Sequence, residues 1–197
     1  KPYLNFKVNT GDREAMSSAV SRSRMRQIKK AQKGSVIWRE AMNSDEVISF
    51  YGILADLYRH RIGKPLPPRE FFINFFDRGI GKYLLVWYND RIIGGIMCPV
   101  LEGKALYEFY VCGLDNMYKE QYPSVMATWA AMEYACQQHI PLFDFMGAGN
   151  PESAYGVREF KARFGGILVE EGRFLRINNP FLYNAGKAGL KLLKPGN

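Results

Sequence analysis

The sequence predicts an α/β domain in which an antiparallel meander is flanked by helices. Helix-type and strand-type apolar periods alternate along the chain with short connections between them. Three consecutive strand-type runs in the middle are joined by turn dipeptides. A chain of 197 residues with 47% hydrophobic content can also close one core without disulfides or a structural metal. Cys98, Cys112 and Cys136 are an odd set with no close pair, which argues against a secreted disulfide framework and against a zinc site. That usage fits a reducing, cytoplasmic compartment. No apolar run approaches the length of a membrane span. Lys1 heads neither a signal peptide nor a natural start, so the chain is expected to be a piece of a longer protein.

The net charge of +8 is partly clustered. Arg22, Arg24, Arg26, Lys29, Lys30 and Lys33 occur with no acidic residue between them, and all but Arg24 recur at helical spacing, which predicts a basic helix over 17–33 that leads into the domain. Such a stripe can hold phosphates of RNA, of a nucleotide-linked substrate or of a lipid head group. A charge run taken alone is more often a solvated face.

Ser35–Glu40 then reads as a strand. A helix follows, capped by Asn43 or Ser44, with Asp45 and Glu46 in its first turn and Val47, Tyr51, Leu54, Tyr58 and Ile62 as its apolar stripe. Pro65, Pro67 and Pro68 interrupt the chain before a short aromatic helix, Arg69–Asp77. The meander comprises Lys82–Tyr88, Arg91–Leu101 and Lys104–Leu114, joined at Asn89-Asp90 and Glu102-Gly103. Gly94-Gly95 predicts a bulge or a close backbone approach, and Pro99 predicts that the second strand leaves its ladder there. A helix from Pro123 to Gln138 and a short buried strand, Ile140–Met146, complete this part.

The loop Gly147-Ala148-Gly149-Asn150-Pro151 leads into a helix expected from Glu152 to Phe164 and ended by Gly165-Gly166. Strand, glycine loop and helix in succession can present free backbone amides to an anion or a carbonyl. On that helix Val157, Phe160 and Phe164 are expected to face the core, while Ala154, Arg158 and Lys161 share a neighbouring face turned outward beside the loop. Only His60 and His139 exist, and neither sits in a pattern that pairs it with Ser or Cys, so a catalytic triad is not expected. Nothing near Cys112 would lower its pKa.

The order of elements resembles the GNAT acyltransferase fold, which implies a mixed, mostly antiparallel central sheet flanked by helices. The block Pro123–Gly166 is similar to the corresponding block of the FemABX-like peptidoglycan-bridge aminoacyltransferases through Trp129, Ala135, Asp144-Phe145, Gly147, Tyr155-Gly156, Phe160-Lys161 and Phe164-Gly165-Gly166. Arg26–Val36 resembles the basic helix that opens the second domain of that family. The resemblance implies that residues 1–197 are one GNAT-like domain, the second half of a two-domain enzyme whose N-terminal GNAT-like half is missing here.

It also implies transfer of an aminoacyl or acyl group to an amine of a cell-envelope precursor. Lys161 and Phe160 would be catalytic, Lys161 as a cation at the oxyanion or, if desolvated, as a proton acceptor, with Phe160 shaping the site. Asp144 would orient the acceptor amine or else cap the glycine loop. Gly147, Gly149, Tyr155, Arg158, Tyr107 and Arg26 are the expected binding residues, and Tyr107 and Tyr110 have opposite strand parity.

Acetyl-CoA members of the fold carry a Gln/Arg-x-x-Gly-x-Gly/Ala loop, where this chain reads Cys112-Gly113-Leu114-Asp115-Asn116-Met117-Tyr118. The absence of that pattern tilts the expected donor toward aminoacyl-tRNA, with acyl-CoA as the alternative and no tightly bound cofactor. The acceptor is expected to be a phosphate-bearing cell-wall precursor. The apolar and basic segment Pro180–Lys194 would suit a peripheral contact with the inner face of a membrane. A different class of function, a non-catalytic module binding RNA or another polyanion through the basic stripe, is the competing expectation.

Overall fold

The computed structural model describes residues 2–152, 156–172 and 175–192. The chain opens with a strand the sequence reading did not anticipate, β1 (Pro2–Asn9). Two helices follow, α1 (Arg13–Ala19) and α2 (Arg22–Lys33), each with its own cap: Asp12 accepts from Glu14 and Ala15 amides, and Ser21 from the Arg24 amide. The expected single basic helix over 17–33 is therefore broken at Val20-Ser21. It does not lead into the domain, because β1 already lies inside the sheet.

After β2 (Ile37–Glu40) come α3 (Ser44–Leu57), a π-helical turn (Tyr58–Ile62) closed by Gly63, and α4 (Arg69–Asp77). Asn43 is the cap of α3, accepting from the Glu46 amide. The buried stripe of α3 is Val47, Phe50 and Leu54, whereas Ile62 lies on the π turn and is exposed. The meander begins with β3 (Gly81–Tyr88) and β4 (Arg91–Leu101), joined through Asn89 and Asp90 at φ 46° and 57°. Both values are left-handed, as a two-residue hairpin of matching twist requires.

The third meander run divides into β5 (Ala105–Tyr107) and β6 (Tyr110–Gly113). The remaining described elements are α5 (Pro123–Gln137), β7 (Leu142–Asp144), α6 (Gly156–Ala162), β8 (Ile167–Gly172) and α7 (Pro180–Leu192). Strand order is β2-β3-β4-β5-β7-β1-β8, with β6 also paired to β4. All pairings are antiparallel except β5 with β7. Of the closing strands implied by the resemblance, one is present among the described residues. It is β8, and its neighbour in the sheet is β1, the start of the chain.

Pro99 does not end β4. The strand runs on to Leu101 and changes partner, from β6 at Gly94–Met97 to β5 at Val100 and Leu101. The register shifts where Val86 pairs with Gly94 but Trp87 with Ile92, so the bulge adjoins the glycine pair. A Cβ at Gly94 would lie 2.8 Å from the Cys112 carbonyl oxygen, so only glycine allows β6 to approach there.

Helices cover both faces of the sheet, which is why β3 reads as an unbroken apolar run. Tyr83 and Leu85 meet Val47, Phe50, Leu54, Phe72 and Phe75 from α3 and α4. Leu84 and Val86, of opposite parity, meet the layer formed by α2 and α5. Helix α5 is buried almost all round from Val125 to Ala135 and forms the spine of that layer. Each fully buried Leu, Val or Phe in these layers contributes roughly 1.5–3 kcal/mol.

Candidate active site

The break between β5 and β6 creates the feature on which the site is built. Two consecutive amides turn to opposite neighbours: Glu108 N donates to the Asp144 carbonyl at 2.9 Å and Phe109 N to the Met97 carbonyl at 3.0 Å. Beyond this point β6 stays with β4, while the chain after β7 leaves into the glycine loop. The sheet forks here. Tyr107 lies in β5 opposite Asp144, whereas Tyr110 packs against Phe72 beneath α4. Parity counted through an unbroken strand therefore does not relate them.

The loop amides do not face outward as the glycine-loop expectation held. Phe145 N donates to the Phe6 carbonyl, Met146 N to Asp144 Oδ1, Gly147 N to Asn5 Oδ1 and Ala148 N to the Leu4 carbonyl, at 2.6–3.1 Å. Strand β1 consumes most of the donors. Its Asn5, buried, also donates to Asp144 Oδ1 at 2.8 Å, so Asp144 has the geometry of a loop cap. Met146, Gly147 and Gly149 hold φ of 58°, 129° and 86°, and this backbone path leaves the loop carbonyls facing α6.

Those carbonyls receive the cations. Lys161, 7% exposed, donates through Nζ to the Phe145 carbonyl at 2.7 Å and the Gly147 carbonyl at 2.8 Å, and pairs with Glu108 Oε1 at 2.8 Å. Arg158 donates through Nε to the Ala148 carbonyl at 2.9 Å and through Nη2 to the Asn150 carbonyl. The outward face predicted for Arg158 and Lys161 is thus corrected: both turn toward the loop, because its carbonyls are unpaired acceptors and β1 has taken the amides. Val157, expected in the core, is 42% exposed. Helix α6 is described only from Gly156, and Tyr155 and Ala154 lie outside the described residues.

Glu108 was not anticipated, since a glutamate inside an apparent strand carries no distinguishing signal. It is 6% exposed, and its Oε2 has no hydrogen-bond partner among the described residues. Burial holds its carboxyl above the ordinary glutamate value, against the pull of the Lys161 ammonium. The fork therefore contains a dry ammonium–carboxylate pair whose carboxylate keeps one oxygen free. Burial pushes the Cys112 thiol up, away from a nucleophilic thiolate.

Arg24 also turns inward, off the basic stripe. Its guanidinium lies 4.5 Å from the Phe160 ring centroid and 4.8 Å from that of Phe164. Burial lowers its pKa to about 10, with Arg163 adding to the effect. Phe160 is thereby held from the side opposite the core. Gly165 and Gly166 end the segment with φ of 76° and 139°, and a Cβ at Gly165 would lie 2.5 Å from the Ala19 carbonyl oxygen. Arg26, by contrast, is exposed and lines a groove with Val20, Arg22, Met25 and Lys29, outside the fork.

The N-terminus of α5 is where the acetyl-CoA pattern would hold a pyrophosphate. In this chain Pro123 supplies no amide, and the Asp115 carboxylate accepts from Ser124 N at 3.1 Å and from Ser124 Oγ. The protein's own anion occupies the helix terminus, so these residues do not fit a pyrophosphate there.

A family model for the acetyltransferase (GNAT) domain matches residues 18–161, well over half of the chain. No curated protein matches. Among solved structures, FemX shares the fold at a TM-score of 0.72 with 13% identity, over 84% of this chain and 59% of FemX. The C-terminal domain of a putative lysylphosphatidylglycerol synthetase from Agrobacterium fabrum aligns at 0.64 with 9% identity, over 86% of this chain and 59% of that one. An aminoglycoside acetyltransferase from an uncultured soil metagenomic sample aligns at 0.54 with 12% identity, over 73% of this chain and 95% of that one. The chain thus spans about three-fifths of FemX. By the extent of the model match, it belongs to the acetyltransferase (GNAT) domain family.

Proposed function

We propose that this GNAT acyltransferase domain is the second half of a FemABX-like enzyme. It would pass an aminoacyl group from aminoacyl-tRNA to an amine of a phosphate-bearing cell-envelope precursor, at the inner face of the membrane. The observation that carries the reading is the buried Lys161 ammonium at the fork, held by Glu108 and two loop carbonyls. A fixed cation in a dry cleft stabilises developing negative charge far more than one in water.

In this mechanism the amine attacks the ester carbonyl directly. The new C–N bond forms as the ester C–O bond breaks, and the leaving oxygen takes up the proton the amine sheds. The developing oxyanion displaces the Gly147 carbonyl from Lys161, the less buried of its two carbonyl contacts. Glu108 keeps Lys161 protonated, and Phe160, steadied by Arg24, forms a wall of the site. Asp144 holds the loop in register.

Two observations support the donor and the missing half. The self-capped N-terminus of α5 disfavours an acyl-CoA pyrophosphate at the usual place. Ile167, Leu168, Phe181 and Leu182 are 72%, 49%, 79% and 65% exposed, an apolar surface suited to an upstream domain. No helix among the described residues is long and apolar enough to cross a membrane.

The test is a transfer assay with the full-length protein, offering aminoacyl-tRNA or acyl-CoA as donor to a nucleotide-linked or lipid-linked envelope precursor. Transfer from aminoacyl-tRNA alone is expected. Transfer from acyl-CoA alone would overturn the reading.

A further inference from the structure

The π-helical turn after α3 and the segment after β6 enclose a cavity of about 250 Å³, lined by Ile53, Leu57, His60, Arg61, Asn116 and Met117 among others. Irregular helical turns of this kind recur at functional sites. Arg61 and Asn116 have no hydrogen-bond or ion-pair partner among the described residues, although both line this one cavity.

The acidic groups in the lining are committed elsewhere. Asp56 faces His60 Nε2 at 3.4 Å, and Asp115 is spent on Ser124 at the start of α5. Between Asp56 and Glu70 the chain carries Arg59, His60, Arg61, Lys64 and Arg69 with no acid. The rim is therefore cationic. Ile53 and Leu57 add apolar surface, which suits the sugar or aliphatic part of a phosphate ester.

The position relates the cavity to the fork. Gly113 lines it and ends β6, the strand that starts beside Glu108. Extended chain rises roughly 3.3 Å per residue, so the cavity lies on the order of 17 Å along the strand from the buried pair.

We propose that this cavity is a phosphate-ester subsite, in which Arg61 grips the phosphate oxygens as a fork and Asn116 donates its amide. The subsite rests on the acyltransferase reading, since it would hold a phosphate-bearing arm of one substrate while the acyl carbonyl lies at Lys161. Its place is the wall opposite the α5 terminus, where Asp115 excludes an anion.

The test is amide NMR of this chain titrated with inorganic pyrophosphate, a 5′-phosphorylated CCA trinucleotide, coenzyme A, and UDP-N-acetylglucosamine. The expected result is a set of shifts at residues 60–63 and 113–117 with at least one probe. Arg61→Ala should weaken that probe by about tenfold or more, the loss of a charge-assisted pair, and Lys161→Met should leave the shifts in place. The responding probe identifies the source, a donor for the trinucleotide or coenzyme A and an acceptor for the nucleotide sugar. Shifts confined to the basic face of α2, or shifts that survive Arg61→Ala unchanged, would overturn the subsite. Loss of acyl transfer with these shifts intact concerns Lys161 alone, so the two readings fail separately.

Discussion

Helices α2 and α6 both carry cations at helical spacing, yet they use them in opposite ways. On α2, Arg22, Arg26, Lys29 and Lys30 lie on the exposed side, with Lys30 paired to Glu120 at the surface. Only Arg24 turns inward, onto two aromatic rings. On α6, Lys161 and Arg158 both end on backbone carbonyls, and Lys161 is sealed against Glu108. The difference lies in the acceptors opposite each helix. A cation leaves water only where fixed oxygens replace its hydration, and β1 prepares such oxygens at the loop by taking its amides.

Breaking the Lys161–Glu108 pair tests this most severely. Lys161→Met leaves a buried carboxylate uncompensated and is expected to cost about 3–5 kcal/mol in urea unfolding. Transfer should fall by about 100-fold or more. The double variant Lys161→Met/Glu108→Leu should recover most of the stability and none of the transfer. Recovery of both together would make Lys161 a structural residue only.

Arg24→Met is the next largest. Loss of the desolvated stack on Phe160 and Phe164 should cost about 2 kcal/mol in the same unfolding measurement. It should also lower turnover through Phe160 while leaving the far-ultraviolet spectrum unchanged. An unchanged turnover would separate α2 from the site.

A cation pair of intermediate burial calibrates the scale. Arg39 grips Glu46 at 2.6 and 2.8 Å, and the Met42 amide adds a third donor, which holds the Glu46 carboxyl below its ordinary value of 4.5. The folded state therefore binds this proton less readily than the unfolded chain. The pair's stabilisation is full above pH 4.5 and is lost as pH falls through the lower folded value. Stability curves of the chain and of Glu46→Gln, about 1 kcal/mol apart near neutrality, should converge in acid.

The smallest effect is expected on the outer face of α2. Arg26→Ala and Lys29→Ala should each change stability by no more than about 0.5 kcal/mol. A larger loss would mean that the stripe is structural, and the contrast with α6 would fail.

Much of this fold was legible from local pattern. The caps Asn43 and Pro68, the bounds of α4 and β4, and the Asn89-Asp90 hairpin all follow from short-range chemistry that acts within a turn or two. The Phe160-Lys161 pair was also found, through a family resemblance. Its surroundings were not. Glu108 lies 53 residues upstream of Lys161, and Asn5 is separated from Gly147 by 142. No periodicity links residues so far apart.

The sequence by itself determined which segments are helix or strand, where most of them begin, and that helices cover both faces of the strand Gly81–Tyr88. Tertiary structure decided that β1 enters the sheet between β7 and β8, that the third meander strand splits at Glu108, and that the cations of α6 face inward. Periodicity records which face of an element is apolar. Where a cation finds its oxygens depends on chain segments that meet only when the sheet has assembled.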